Sequence, residues 1–209
     1  MNVLVIGGTR GVGHAVVVAA HAAGHTMTVM ARTAAGFDGP VSGIRMVAGD
    51  AEDAADIDRA IAGQQAVVWT VGVAGNGSDV RVFSRGTGHV LQAMQDHRVR
   101  RLVCVTGVAA GNNVSRAVML QRGLVGPVLG KAVDADKARQ EAQIRDSALD
   151  WTIVRPAALT NGPATGLYQT LTSPLESRGR RLSRADVAEF IVANLAAPEF
   201  VRQTVLLTS

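Results

Sequence analysis

Seven residues near the start of the chain, Gly7-Gly8-Thr9-Arg10-Gly11-Val12-Gly13, have the types and spacing to hold a phosphate. They follow the strand-like run Asn2–Ile6 and lead into a helical pattern, Gly11–Ala23, that Gly24 closes. Gly7 permits a tight turn directly off the strand. Gly11 carries no side chain, so a diphosphate can approach the backbone. Gly13 lets the helix pack closely on the strand. The helix start then offers free N–H groups and a positive dipole end. A glycine pattern alone is weak evidence, but this one stands at the first strand and inside a strand–helix–strand unit, the context it needs.

The next strand ends Met30-Ala31-Arg32-Thr33, and no Asp or Glu occurs before Asp38. A dinucleotide site that prefers NAD needs an acid here for the ribose 2′-hydroxyl, whereas Arg suits a 2′-phosphate. Arg10 and Arg32 can clamp such a phosphate from two sides. The pattern therefore favours NADP(H) over NAD(H), with two plain surface arginines as the other reading. After the third strand, Asp50 in Gly49-Asp50-Ala51 has two open roles, accepting from an adenine amino group or capping the next helix.

These residues need a scaffold, and the chain alternates short apolar runs with helical patterns. Strands are expected at Asn2–Ile6, Thr26–Ala31, Ile44–Ala48, Ala66–Val71, Arg101–Thr106, Trp151–Arg155 and Thr204–Leu207. Helices are expected at Gly11–Ala23, Asp53–Ala62, Ser78–Asp96, Val133–Ser147 and Arg184–Ala196. Continuous apolar strands are covered on both faces, as in a parallel sheet. The expected fold is one α/β domain over residues 1–209, a Rossmann-type, doubly wound, mainly parallel sheet. The last helix has a strong start: Ser183 as cap, Asp186 reaching back, and Leu182 with Val187 as a staple. Two long segments, 107–130 and 156–181, follow strands that end on the ligand side, so they are expected to wall the substrate site.

Composition narrows the classes. Hydrophobic residues make up 47% and charged residues 18%, enough for a sizeable core, and with aromatics at 3% that core is aliphatic. A net charge of +4 is too mild to demand nucleic acid. The arginine groups 98–101 and 178–184 are read as solvated surface, with an anionic partner as the alternative. Cys104, the single cysteine, sits in an apolar run and is expected to be a buried thiol. The histidines at 14, 21, 25, 89 and 97 show no metal spacing. Neither an export signal nor an apolar run of membrane-spanning length is seen, so a cytoplasmic protein without membrane contact is expected.

Beyond the glycine turn, five stretches carry a family resemblance: Val47-Ala48-Gly49-Asp50, Ala62-Gly63-Gln64-Gln65-Ala66-Val67, Arg100-Arg101-Leu102-Val103, Leu149-Asp150-Trp151-Thr152-Ile153-Val154-Arg155-Pro156 and Ser183-Arg184-Ala185-Asp186-Val187-Ala188. Together they resemble the atypical short-chain dehydrogenase/reductase group, which includes NADPH-dependent flavin (biliverdin-IXβ) reductases and NmrA-like redox sensors. The resemblance implies cofactor contacts at Gly7, Thr9, Arg10, Gly11, Val12, Gly13, Arg32, Asp50, Ala51, Val71 and Gly72. It also implies that Thr106, Pro156 and Ala157 lie near the nicotinamide. Lys137 matches the Lys of the family's Tyr-x-x-x-Lys pair, and Thr106 and Lys137 are the candidate catalytic residues.

The departures bear on chemistry. The Tyr of that pair falls at Val133, and the catalytic Ser of the main branch falls near Gly107. The His that follows this strand in flavin reductases is replaced by Ala157 and Ala158. Reducing a plain ketone develops an alkoxide that needs a positioned acid. A flavin or quinone delocalises the charge and can take its proton from solvent. The sequence thus points to an NADPH-dependent reductase of a small planar conjugated acceptor. A non-catalytic NADP(H) sensor acting through a protein partner is the alternative, and a nucleotide-sugar epimerase is more distant.

Overall fold

A computed structural model describes residues 1–33, 42–72, 80–107, 129–172 and 181–209. Its centre is an eight-stranded sheet in the order β3-β2-β1-β4-β5-β6-β10-β8. The strands are β1 (Asn2–Ile6), β2 (Thr26–Ala31), β3 (Arg45–Ala48), β4 (Ala66–Trp69), β5 (Arg101–Val105), β6 (Asp150–Pro156), β8 (Gln169–Leu171) and β10 (Gln203–Thr208). Every pairing is parallel except that of β8 with β10. Two short strands, β7 (Leu159–Thr160) and β9 (Leu182–Ser183), pair apart from the main sheet. The helices are α1 (Gly11–Ala22), α2 (Ala54–Ile61), α3 (Val82–Asp96), α4 (Leu129–Asp146) and α5 (Arg184–Ala196). The expected Rossmann-type single domain is what the chain forms.

Alternation along β1 explains the two layers. Val3 and Val5 join Val16 and Val17 of α1 and Val187 and Ile191 of α5 in one buried cluster. Leu4 and Ile6 face the other way, into a cluster with Ile57 of α2, Met94 of α3 and Ile144 of α4. Both faces of the parallel strands are therefore covered, which is why they read as unbroken apolar runs. Strand order runs outward from β1 through β2 to β3, then restarts at β4 on the other side of β1. The crevice at that reversal is where open α/β sheets take ligands.

Several boundaries differ from expectation for tertiary reasons. The strand expected to reach Val71 ends at Trp69, opposite Ile6, because its partner β1 gives way there to the Gly7 turn; the N–H and the hydroxyl of Thr70 both still donate to the Ile6 carbonyl, at 2.9 and 3.0 Å. The helix expected from Ser78 begins at Val82, where the carboxylate of Asp136 on α4 accepts from the Phe83 and Ser84 N–H groups at 2.9 and 3.2 Å. The segment 156–181, expected as irregular, contains β7 and β8, while 173–180 lies outside the described residues. Most of the other expected wall, 108–128, also lies outside them.

The arginine group 98–101 is not uniformly solvated. Arg100 is exposed and pairs with Asp150 at 3.0 Å. Arg101 is buried and donates to the Asp150 carbonyl at 2.7 Å and to the Asn194 carbonyl at 3.1 Å, which ties β5 to α5. Burial lowers its pKa to about 10 against the opposing pull of Asp150. Cys104 is fully buried, as expected, and burial raises its pKa. No helix among the described residues is long and apolar enough to cross a membrane.

Candidate functional site

The glycine turn is sterically constrained at two points. Gly7 has a φ of +86°, and a Cβ there would stand 3.0 Å from the backbone of Thr70 and Val71. A Cβ on Gly13 would stand 2.4 Å from both the Gly7 carbonyl oxygen and the Thr70 hydroxyl. The start of α1 is thus pressed against the turn and the end of β4. At Gly11, by contrast, the space outward is open except for Arg184 Nε at 3.8 Å. α1 has no side-chain cap and no acid in its first turn, which leaves its N–H groups available to an anion. Three other helices are capped: α2 by Asp53, α3 by Asp136 from α4, and α5 by Ser183.

A cleft of about 580 Å³ lies over this turn at the carboxyl ends of the strands. Gly7, Thr9, Arg10, Gly11 and Val12 line it from the turn, Arg32 from the end of β2, and Asp50 and Ala51 from the end of β3. Val71 and Gly72 follow from β4, Thr106 from β5 and Lys137 from α4. Three expected contact residues do not line it. Gly13 is buried beneath the turn, and Pro156 is buried at the end of β6. Ala157 stays tied to β10 through its N–H bond to the Leu207 carbonyl at 2.9 Å.

The cleft also takes in residues not anticipated, including Met30, Glu52, Thr70 and Arg184, while Leu159 lines it from the expected wall 156–181. In sequence, Arg184 belongs to the arginine group 178–184, expected as solvated surface. Its better signal was its place directly after the Ser183 cap.

Electrostatically the cleft is basic. Arg10 and Arg32 are exposed, and neither is hydrogen-bonded to another described side chain. The role of Asp50 narrows, because the α2 cap is Asp53, accepting from Ala55 and Asp56 N–H at 2.8 and 3.0 Å. The Asp50 carboxylate instead accepts from the Glu52 N–H at 2.9 Å and stands exposed at the cleft wall.

At the β5 end, the candidate catalytic pair is engaged internally. The Thr106 hydroxyl donates to Glu141 Oε1 at 2.7 Å. Lys137 Nζ donates to the Thr106 carbonyl at 2.6 Å and lies 5.0 Å from the centre of the Phe83 ring. Glu141 is fully buried. Its carboxylate accepts from Arg155 Nε at 2.9 Å, from Arg155 Nη2, and from Arg145 at 2.5 Å. A hydroxyl has one proton, and here that proton goes to Glu141. Tyr168 packs edge-on against Phe190 with ring centres 6.2 Å apart and does not line the cleft. Burial raises its pKa, with Glu189 and Asp186 adding to the effect. Among the described residues, then, no side chain at this end both faces the cleft and offers a hydroxyl proton. No group of three or more potential metal ligands gathers among them either.

Residues 7–198 match the NAD(P)H-binding family. The chain belongs to that family. The UPF0659 protein YMR090W of Saccharomyces cerevisiae is 31% identical over 160 residues, which is 74% of this chain and 66%, just under two thirds, of that protein. Among solved structures, an anaerobillin reductase, ChuY of Escherichia coli O157:H7, superposes with a TM-score of 0.79 at 24% identity, over 100% of this chain and 97% of that one. A Veillonella parvula short-chain dehydrogenase/reductase solved with NADP gives 0.79 at 14% identity, over 100% and 94%. At these identities the structural likeness establishes the fold. The family match establishes NAD(P)H binding, and the uncapped α1 start, the open face of Gly11, and Arg10 and Arg32 without side-chain partners among the described residues fit a dinucleotide.

Proposed function

We propose that this protein is an NADPH-dependent reductase that passes hydride to a flavin, a quinone or a similar conjugated planar acceptor. One observation carries the choice of acceptor: Thr106 gives its only proton to Glu141, and Val133 stands where a tyrosine acid would be. Among the described residues, a ketone substrate would meet no hydroxyl acid there to protonate its alkoxide, whereas a delocalised acceptor can be protonated from solvent. When bound, the cofactor supplies the hydride. The α1 N–H groups hold its diphosphate, and Arg10 and Arg32 hold the 2′-phosphate. Asp50 accepts from the adenine amino group. Lys137, anchored on the Thr106 carbonyl, presents positive charge at the reacting end, and Val105 and Leu159 keep that end apolar.

The test is steady-state oxidation of NADPH and NADH with FMN, riboflavin and a soluble quinone. Turnover above background with NADPH and at least one acceptor is expected. No turnover with any of them would remove the reductase reading. The engaged Thr106 also favours a second reading, a redox sensor that recognises a protein partner in one cofactor state. A partner captured with NADP⁺ but not NADPH, in a protein without turnover, would establish it.

A further inference from the structure

The geometry points to Arg184 as the residue that closes over the cofactor's diphosphate from the side opposite the α1 N-terminus, with Asn161 positioning it. This rests on the NADPH reading of the cleft. Arg184 is the first residue of α5, behind the Ser183 cap, and α5 shares a buried core with α1. Its backbone is therefore held at a set distance from the glycine turn. The guanidinium crosses that gap. Among the described residues outside the turn and its helix, its Nε is the one atom within 4 Å of where a Cβ on Gly11 would stand, at 3.8 Å. Gly11 is where the backbone is bare and a diphosphate comes closest.

The partner of Arg184 is neutral. Nη1 donates to Asn161 Oδ1 at 2.6 Å, and no carboxylate among the described residues pairs with it. Asn161 fixes the direction of the guanidinium without spending its charge. A planar guanidinium matches phosphate oxygens in a bidentate fork. An anion seated at the turn would then lie between the α1 N–H groups and Arg184. Arg32, on the far side of the cleft after β2, has a different task, because it faces the ribose end where NADP and NAD differ.

That division of labour is measurable by calorimetric or fluorescence titration of the purified protein with NADP⁺, NAD⁺ and adenosine 2′-monophosphate, which lacks the diphosphate. Arg184→Gln is expected to weaken NADP⁺ and NAD⁺ by the same factor, about 10–100-fold, and to leave adenosine 2′-monophosphate unchanged. Arg184→Lys keeps the charge without the fork and should fall between. Asn161→Ala should weaken both dinucleotides several-fold. Arg32→Gln should weaken NADP⁺ and adenosine 2′-monophosphate but not NAD⁺. Thermal melts without ligand check that each variant is folded.

If Arg184→Gln binds both dinucleotides as the wild type does, the assignment is overturned. A raised KM for the acceptor would then move the guanidinium to the acceptor side. If the wild type binds neither dinucleotide, the NADPH reading itself fails and takes this assignment with it.

Discussion

At the scale of single residues, Glu141 and Gly13 are the least replaceable. Glu141 is a fully buried carboxylate that satisfies Arg155, Arg145 and the Thr106 hydroxyl together. Removing one partner of a buried ion pair leaves the other charge uncompensated. Glu141→Gln keeps the shape but leaves Arg155 buried without a counter-charge, and is expected to cost about 3–5 kcal/mol in urea unfolding. A loss below about 1 kcal/mol would show that water reaches and solvates Arg155. Gly13→Ala puts a methyl 2.4 Å from a backbone carbonyl that cannot swing aside. Roughly 1–3 kcal/mol of destabilisation is expected, together with weaker NADPH binding, since the turn must shift to make room. A variant with wild-type affinity would mean that the turn is more compliant than its packing implies.

At the scale of elements, the helix starts differ in what satisfies them. α3 is capped in trans: Asp136 accepts from Phe83 and Ser84 N–H and from the Ser84 hydroxyl, while Arg139 pairs with it at 3.1 Å. Asp136→Ala is expected to cost about 1–3 kcal/mol and to raise hydrogen exchange in the first turn of α3 before the rest of the helix. Exchange that rises evenly along α3 would argue against a local cap.

Asp186 fastens the start of α5 to a neighbouring loop, accepting from the Thr165 and Gly166 N–H groups at 2.6 and 2.9 Å and from the Ser183 hydroxyl at 2.7 Å. Burial alone would raise its pKa, but these bonds outweigh burial and hold it below the usual carboxylate range. A folded value below the unfolded one means the stabilisation is complete above about pH 4 and fades as pH falls through the folded value. Asp186→Asn should therefore melt lower than wild type at neutral pH, and the gap should close on acidification. A gap that stays constant down to pH 2 would contradict the shift.

At the scale of the molecule, the cleft spans the point where strand order reverses between β1 and β4, so its walls come from both halves of the sheet. A ligand bound there should stabilise the whole cooperative unit. NADPH at about a hundred times its Kd should add roughly 2.7 kcal/mol, a melting shift on the order of 5–10 °C. NADH at the same concentration should give a smaller shift. Equal shifts would mean that Arg10 and Arg32 do not select the 2′-phosphate.

Much of this molecule is written locally in its residues. Glycine spacing, apolar period and the Ser183 cap act over a few neighbours, and they determined the layered fold, the turn and its uncapped helix start. The missing acid after β2 and the missing tyrosine at Val133 were equally visible, because each is a residue type at a known offset from a recognisable element. Only the tertiary structure decided burial and long-range partnership. Arg101 and Glu141 look like surface charges in sequence, yet the first ties β5 to α5 and the second anchors the site from inside. Arg184 lies at the opposite end of the chain from Gly11, and packing of α5 on α1 brings them together. Charge and polarity are properties of a residue, but what neutralises them depends on what the fold sets beside it.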